Sequence, residues 1–225
     1  MNRLYLVRHG ENLANLTKEF SHRLVDYPLT PKGRLQAEQT AQALADKNIH
    51  EIHSSPLRRA VETAEIIGQS LGLPVSVLEA FREVNVGELE TRPVSAKNWR
   101  DHDEIIQRWH AGDLEASFPS GENGICLRRR MRTGLKQILA GKEGRNLLVV
   151  GHGGLFAFTL PDLCPGSAGD LQLGRENHNC SISLLEAEHT PDGLRFRLVE
   201  WANFTHLHGE AARLVSGMPG PEEFK

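Results

Sequence analysis

Three segments of this chain that read as β-strands each end directly in a cluster of arginine, histidine, serine or glycine. Leu4-Tyr5-Leu6-Val7 runs into Arg8-His9-Gly10-Glu11. Residues 49–53 run into Ser54-Ser55-Pro56-Leu57-Arg58-Arg59, and residues 147–150 into Gly151-His152-Gly153-Gly154. A short, continuous apolar run bounded by turn residues suits a strand buried on both faces, which is the habit of parallel sheets. Ligands of open α/β sheets bind outside the carboxyl ends of the strands. Parallel neighbours would therefore gather clusters that are far apart in sequence onto one rim.

Helix signals fill the intervals. Thr30-Pro31 is an N-cap followed by proline at the first helical position, with Leu35, Ala41, Leu44 and Ala45 as an apolar stripe. A helix follows Pro56 and runs to Leu71, where Gly72 is the stop signal. Val75-Ser76-Val77 alternates like a third strand. Pro119-Ser120-Gly121-Glu122 reads as the start of a helix carrying Met131, Leu135, Ile138 and Leu139, and residues 155–160 read as a further helix. Residues 181–186 and 194–200 form a hairpin around Pro191-Asp192-Gly193. Residues 10–29 read as a loop. Alternating strands and helices predict a three-layer α/β/α sandwich around a mainly parallel central sheet.

With 39% hydrophobic residues in 225, one α/β domain covering 1–225 is expected. Residues 92–118 are an excursion from it, either a solvated helix face or a cap over the site. As a cap, Arg92, Lys97, Arg100 and Arg108 would meet an anionic substrate. The Gly- and Pro-rich stretch 208–225 reads as a tail. A net charge of −3 excludes a strongly basic nucleic-acid binder. No apolar run approaches a membrane span, and Arg8 and His9 break the first one too early for a signal peptide. The three cysteines, Cys126, Cys164 and Cys180, fit neither a disulfide framework nor a Cys-based zinc site. They suit a reducing, cytoplasmic compartment as small buried hydrophobes.

The rim holds His9, His152, Arg8, Arg58 and Arg59, with no lysine. Guanidinium groups grasp phosphate or carboxylate bidentately. The glycines admit close backbone approach, and the helix after Gly153 can aim N–H groups at an anion. This is an anion pocket containing two histidines. A metal fits it poorly, because the arginines would repel a dication and no H-E-x-x-H or paired cysteine occurs. No phosphate-binding P-loop motif is present either, so no metal and no cofactor is expected. Positive neighbours keep an imidazole neutral, and hence nucleophilic toward phosphorus. Glu83, which follows the third strand, is the best candidate for the acid that a leaving oxygen needs.

Taken together, Leu6-Val7-Arg8-His9-Gly10-Glu11, Ser55-Pro56-Leu57-Arg58-Arg59-Ala60 with Thr63-Ala64, Arg82-Glu83 ahead of Gly87, and Gly151-His152-Gly153-Gly154 resemble the histidine phosphatase superfamily, in its phosphoglycerate-mutase-like branch. Pro119-Ser120-Gly121-Glu122 and Asn179-Cys180-Ser181-Ile182 also resemble family segments. The resemblance implies an α/β sandwich with a mixed sheet and phosphoryl chemistry without a metal. By matched position it implies that His9 accepts the phosphoryl group and that Arg8, Arg59 and His152 hold its oxygens. It also implies that Glu83 is the general acid and that Asn15 contacts substrate or phosphate. The chain departs from the pattern at Asn12, Thr91 and Ala157, where Ser or Thr, Gly and Arg are usual. Arg58 reads as a surface charge and Glu11 as structural. His22, His50, His53, His102, His110, His178, His189, His206 and His208 carry no assigned function.

The expected activity is hydrolysis of a small phosphorylated metabolite through phosphohistidine on His9, with Glu83 as acid and then base. The alternatives are a phosphoglycerate mutase and a non-catalytic phospho-ligand module. Mutases of this family usually show Asn after the second H-G, where this chain has Gly154, and they tend to be longer. The module would lose the nucleophile or the acid, both of which are present.

Overall fold

The computed structural model of the chain describes residues 1–165, 177–216 and 218–219. Six strands form one sheet: β1 (Asn2–Arg8), β2 (Glu51–Ser54), β3 (Val75–Val77), β4 (Asn146–Gly151), β5 (Ile182–Thr190) and β6 (Gly193–Asn203). Their order is β3-β2-β4-β1-β5-β6. β1 to β4 are mutually parallel, whereas β5 and β6 form the antiparallel hairpin at one edge, so the sheet is mixed. Arg8 of β1 is in register with Gly151 of β4, and Ser54 of β2 with Val150. The three polar clusters therefore lie side by side at the carboxyl ends of adjacent strands.

The helices are α1 (Leu13–Thr17), α2 (Pro31–Leu44), α3 (Arg58–Leu71), α4 (Ala96–His110), α5 (Gly124–Leu139) and α6 (Gly153–Leu163). Side chains alternate across a strand, so Tyr5 and Val7 pack with Leu148 and Val150 beneath Ala41, Leu44, Ala60 and Ile67 of α2 and α3. Leu4 and Leu6 face the opposite way, into a cluster with Leu127, Met131 and Leu135 of α5 and Leu155 and Phe156 of α6. Both faces are covered, which is why residues 4–7 and 147–150 are apolar without a break. The expected three-layer sandwich is what forms.

Local signals set the joints. The Thr30 hydroxyl accepts the Gly33 N–H at 3.0 Å and opens α2. Gly72, at φ 69°, closes α3 in the left-handed region. Gly10 and Gly33 allow α2 to press on the turn after β1, since a Cβ at Gly10 would stand 2.4 Å from the Gly33 carbonyl oxygen.

Three segments differ from the sequence reading, and a fourth, residues 92–118, is one it left open between a solvated face and a cap. Residues 10–29 are not all loop. They contain α1, five residues closed by a reciprocal capping box between Asn12 and Asn15 and too short to show a period. Residues 92–118 contain α4, capped by Ser95, with Trp99, Ile106 and Trp109 buried. The helix after Pro119 starts later, at Gly124, where the Asn123 side chain accepts the Cys126 N–H at 2.9 Å. Residues 208–216 are no loose tail: Leu207 and Ala211 are buried against Ala37 of α2 and Cys180. The rest of that stretch lies largely outside the described residues. Among those described, no helix is long and apolar enough to cross a membrane.

Candidate active site

β1 delivers Arg8 and, one residue past its end, His9. The turn is held because the Gly10 N–H donates to the hydroxyl of Thr63, in the second turn of α3, at 3.0 Å. The His9 Nδ1–H donates to the Gly10 carbonyl at 2.8 Å. Its Nε2 accepts the Arg59 Nε–H at 3.0 Å, which fixes the neutral tautomer. Burial, then the charges of Arg59 and Arg8, hold His9 well below the ordinary histidine range. His152, the N-cap of α6, is fully buried with its ring centroid 5.2 Å from that of His9. It accepts the Arg59 Nη2–H at Nδ1 (3.2 Å), so its Nε2–H is the one facing the Ser55 hydroxyl at 2.7 Å. Burial and Arg59 depress it as well.

Arg59 ties this floor to the loop above it. Nη1 donates to the Ser21 hydroxyl at 2.8 Å and Nη2 to the Ser21 carbonyl at 2.7 Å. Its burial lowers its own pKa to about 10, and Glu83 and Asp26 offset part of that cost. Arg8 donates Nη1 to the Asn177 carbonyl. The loop bearing Ser21 is gathered in turn by Glu90, whose Oε1 accepts the N–H groups of His22, Arg23, Leu24 and Val25 at 2.7–3.1 Å.

Glu83 sits across the N-terminus of α6. Oε1 accepts the N–H of Leu155 at 2.7 Å and of Val84 at 2.9 Å, and Oε2 that of Gly154 at 3.1 Å. Gly154 is required for this approach, because a Cβ there would stand 2.8 Å from Oε1. The α6 N–H groups of Gly154 and Leu155, expected to meet an anion directly, are thus spent on Glu83. The segment carrying Glu83 is braced from behind: Arg130 of α5 donates to the carbonyls of Ala80, Arg82 and Glu83 at 2.7–3.0 Å. It also pairs with Glu122, which accepts the Asn85 N–H.

These groups surround a cavity of about 370 Å³. Arg8, His9, Asn15, Arg59, Glu83 and Gly153 all line it, whereas His152 lies behind Arg59 and does not. Asn15 spends its Oδ1 on the Asn12 N–H and on Asn179 Nδ2. At Gly153 a Cβ would stand 3.4 Å from Arg8 Nε, so glycine lets the guanidinium lie close to α6. Arg58 is exposed, the surface charge expected from the sequence, and it pairs with Glu62. Glu11 is structural, bound by Lys32 at 2.6 Å and the Thr30 hydroxyl at 2.8 Å. The Cys164 and Cys180 thiols are buried and pushed up to about 12, but Cys126 is only half-buried.

Residues 92–118 do form a wall of the site, the cap alternative of the sequence reading, but through other side chains than the basic ones expected. α4 presents Trp99, His102, Asp103, Ile106 and His110 to the cavity at helical spacing, so two histidines without an assigned function belong to it. The basic residues expected to greet substrate do not. Arg92 pairs with Glu88, Lys97 with Asp101 and Arg108 with Asp113, and Arg100 is exposed. Among the described residues, no group of three or more His, Cys, Asp or Glu side chains is placed to hold a metal ion.

Known proteins resemble this chain in sequence and in fold. Residues 4–203 match the family described as the histidine phosphatase superfamily (branch 1). The chain is 35% identical over 199 residues to "Probable phosphoglycerate mutase GpmB" of Yersinia enterocolitica, across 85% of this chain and 87% of that one. The native structure of mycobacterial glucosyl-3-phosphoglycerate phosphatase superposes with a TM-score of 0.74 at 26% identity, covering 90% of this chain and 99% of that one. A phosphoserine phosphatase of Entamoeba histolytica, solved with 3-phosphoglyceric acid, shares the fold: TM-score 0.73 at 23% identity, over 92% of this chain and 100% of that one.

Proposed function

Because the chain belongs to branch 1 of the histidine phosphatase superfamily, whose members act on small phosphorylated substrates, we propose that it is a metal-independent phosphomonoesterase working through a phosphohistidine on His9. The observation that carries this reading is the state of His9: neutral, with its proton on Nδ1, and with Nε2 turned toward Arg59 at the cavity floor. In the first step the Arg59 Nε–H shifts its hydrogen bond from His9 Nε2 to a phosphoryl oxygen, the freed Nε2 lone pair forms the P–N bond, and the ester P–O bond breaks. A protonated Glu83 gives its proton to the leaving oxygen. Oε1 already takes two N–H bonds and Oε2 only one, so Oε2 keeps the position for that proton. In the second step Glu83 takes a proton from water, the oxygen attacks phosphorus, and the P–N bond breaks to release phosphate and neutral His9. Arg8 and Arg59 balance the phosphoryl charge, with His152 behind them.

A phosphoglycerate mutase is the second reading, favoured by the name that the relatives carry. Against it, a mutase must also hold the carboxylate and second phosphoryl group of its intermediate, and the only cations lining the described cavity are Arg8 and Arg59. One experiment separates the two: phosphate released from a panel of monoesters, against interconversion of 2- and 3-phosphoglycerate, with acid-labile label trapped on His9. Interconversion without phosphate release would overturn the hydrolase reading.

A further inference from the structure

The upper part of the cavity carries information about the leaving group. Its phosphoryl end holds both lining cations, Arg8 and Arg59. The rest of the lining is ring-rich, with Phe20, Trp99, His102, Phe158 and Trp201 beside Ile106. Phe20 and Trp99 lie with centroids 4.4 Å apart, and His102 stands edge-on to Trp99 at 5.2 Å. The Trp99 Nε1–H is spent on the Lys18 carbonyl at 3.1 Å, so the indole offers the cavity only its apolar surface. Besides Glu83, the lining groups of fixed negative charge are Glu19 and Asp103, and the Asp103 carboxylate meets His102 Nδ1 at 2.9 Å. No other described lysine or arginine lines the cavity: Arg92, Lys97 and Arg108 are paired elsewhere and Arg100 is exposed.

Resting on the phosphomonoesterase reading, we infer that the substrate is the monophosphate of a bulky, ring-bearing alcohol without a further negative charge. A flat apolar group gains by leaving water for such a wall. Beyond Arg8 and Arg59, a second carboxylate or phosphate would meet Glu19 and Asp103 and no described lysine or arginine, a mismatch that disfavours it. A cavity of about 370 Å³ also exceeds what a three-carbon acid fills, and lies in the range that encloses a ring-sized ligand.

The test uses alkyl esters whose leaving alcohols need a proton to a similar degree, so that differences report the cavity rather than the chemistry. kcat/KM is compared for benzyl phosphate, 2-(1-naphthyl)ethyl phosphate, ethyl phosphate and 3-phosphoglycerate. The ring-bearing esters should exceed ethyl phosphate by about tenfold or more, the scale of discrimination a hydrophobic pocket provides. 3-Phosphoglycerate should fall below ethyl phosphate. In Ala157→Arg, which introduces a cation on the lining face of α6, the ratio of 3-phosphoglycerate to benzyl phosphate should rise. Ala157→Leu, which adds bulk alone, should not raise it. Binding is read separately from turnover by quenching of tryptophan fluorescence, with benzylphosphonate expected to bind more tightly than phosphonoacetate. Phosphate release that favours 3-phosphoglycerate would overturn this inference and leave the hydrolase reading standing. Tight benzylphosphonate binding without phosphate release would sustain the cavity assignment and overturn the hydrolase. Phosphonoacetate binding as tightly as benzylphosphonate would overturn the inference whatever the turnover.

Discussion

Arg59 donates its Nε–H to His9 Nε2 at 3.0 Å, while the other ring nitrogen gives its proton to the Gly10 carbonyl at 2.8 Å. An added proton on Nε2 would have to expel a guanidinium and then sit beside it. The bond that orients the nucleophile is also the one that keeps it unprotonated.

The His9 ring should therefore remain neutral well below the point where an exposed histidine gains its proton, near 6.5. Ring nitrogen shifts of His9, followed by NMR in the substrate-free protein as pH is lowered through 6.5, should not move. A midpoint at or above 6.5 would contradict the electrostatic account.

The same depression has a consequence for stability. His9 and His152 are both lowered, by burial first and Arg59 second. Below 6.5 the unfolded chain binds protons that the folded one refuses. Stability therefore falls as pH drops through about 6.5 toward the depressed native values, and the two groups contribute little to the slope more than about one pH unit above 6.5. Within that window each costs about 1.4 kcal/mol per pH unit. Urea unfolding should show a falling midpoint between pH 7 and 5.5 (roughly that interval, as set by the reference histidine value). His152→Gln should make the fall shallower, and an unchanged slope would contradict the assignment.

Arg59→Ala and Arg58→Ala separate the buried guanidinium from its exposed neighbour. Loss of a preorganised donor to developing charge costs about 2.7–4 kcal/mol of transition-state stabilisation. Arg58, paired with Glu62 at the surface, should cost within about 0.5 kcal/mol. The measurement is kcat/KM of both variants on one ester. Equal losses would contradict the division of roles.

The motif residues were legible because each follows a parallel strand, and strand order alone brings Arg8, Ser55 and His152 together. Their supports were not. Glu90 gathers residues 22–25, and Arg130 reaches the carbonyls of Ala80, Arg82 and Glu83, by side chains that cross between loops and helices with no local period. The apolar stripe of α4 was hidden for another reason. Trp99, His102 and Ile106 keep helical spacing, but charged residues fill the positions between them, and a mixed, charge-rich run reads equally as a solvated face.

Activity should survive a chelator, because Arg8 and Arg59 already supply positive charge at the cavity floor. Phosphate release measured with and without EDTA should agree. Complete loss, restored by a dication, would overturn metal independence.

Glu83 should matter in proportion to the leaving group's need for a proton. Glu83→Gln can keep its oxygen on the N–H groups of Val84 and Leu155, but its amide then faces the Gly154 N–H, donor against donor. Shape is nearly kept and the transferable proton is lost. General acid help is worth about 10²–10⁴-fold where it is needed. Under single-turnover conditions an alkyl ester should lose most of that factor, whereas p-nitrophenyl phosphate, whose leaving group departs as the anion, should lose far less. Its steady state should still slow, because the same carboxylate activates water in the second step, and a burst of p-nitrophenol should appear. Gly154→Ala gives an independent check: its methyl would stand 2.8 Å from Oε1 and push an intact carboxylate off α6. That variant should show the same alkyl-over-aryl selectivity of damage with the titrating group still present. Equal losses on both esters in Glu83→Gln would mean that Glu83 holds the loop or the phosphoryl group and that the proton comes from elsewhere.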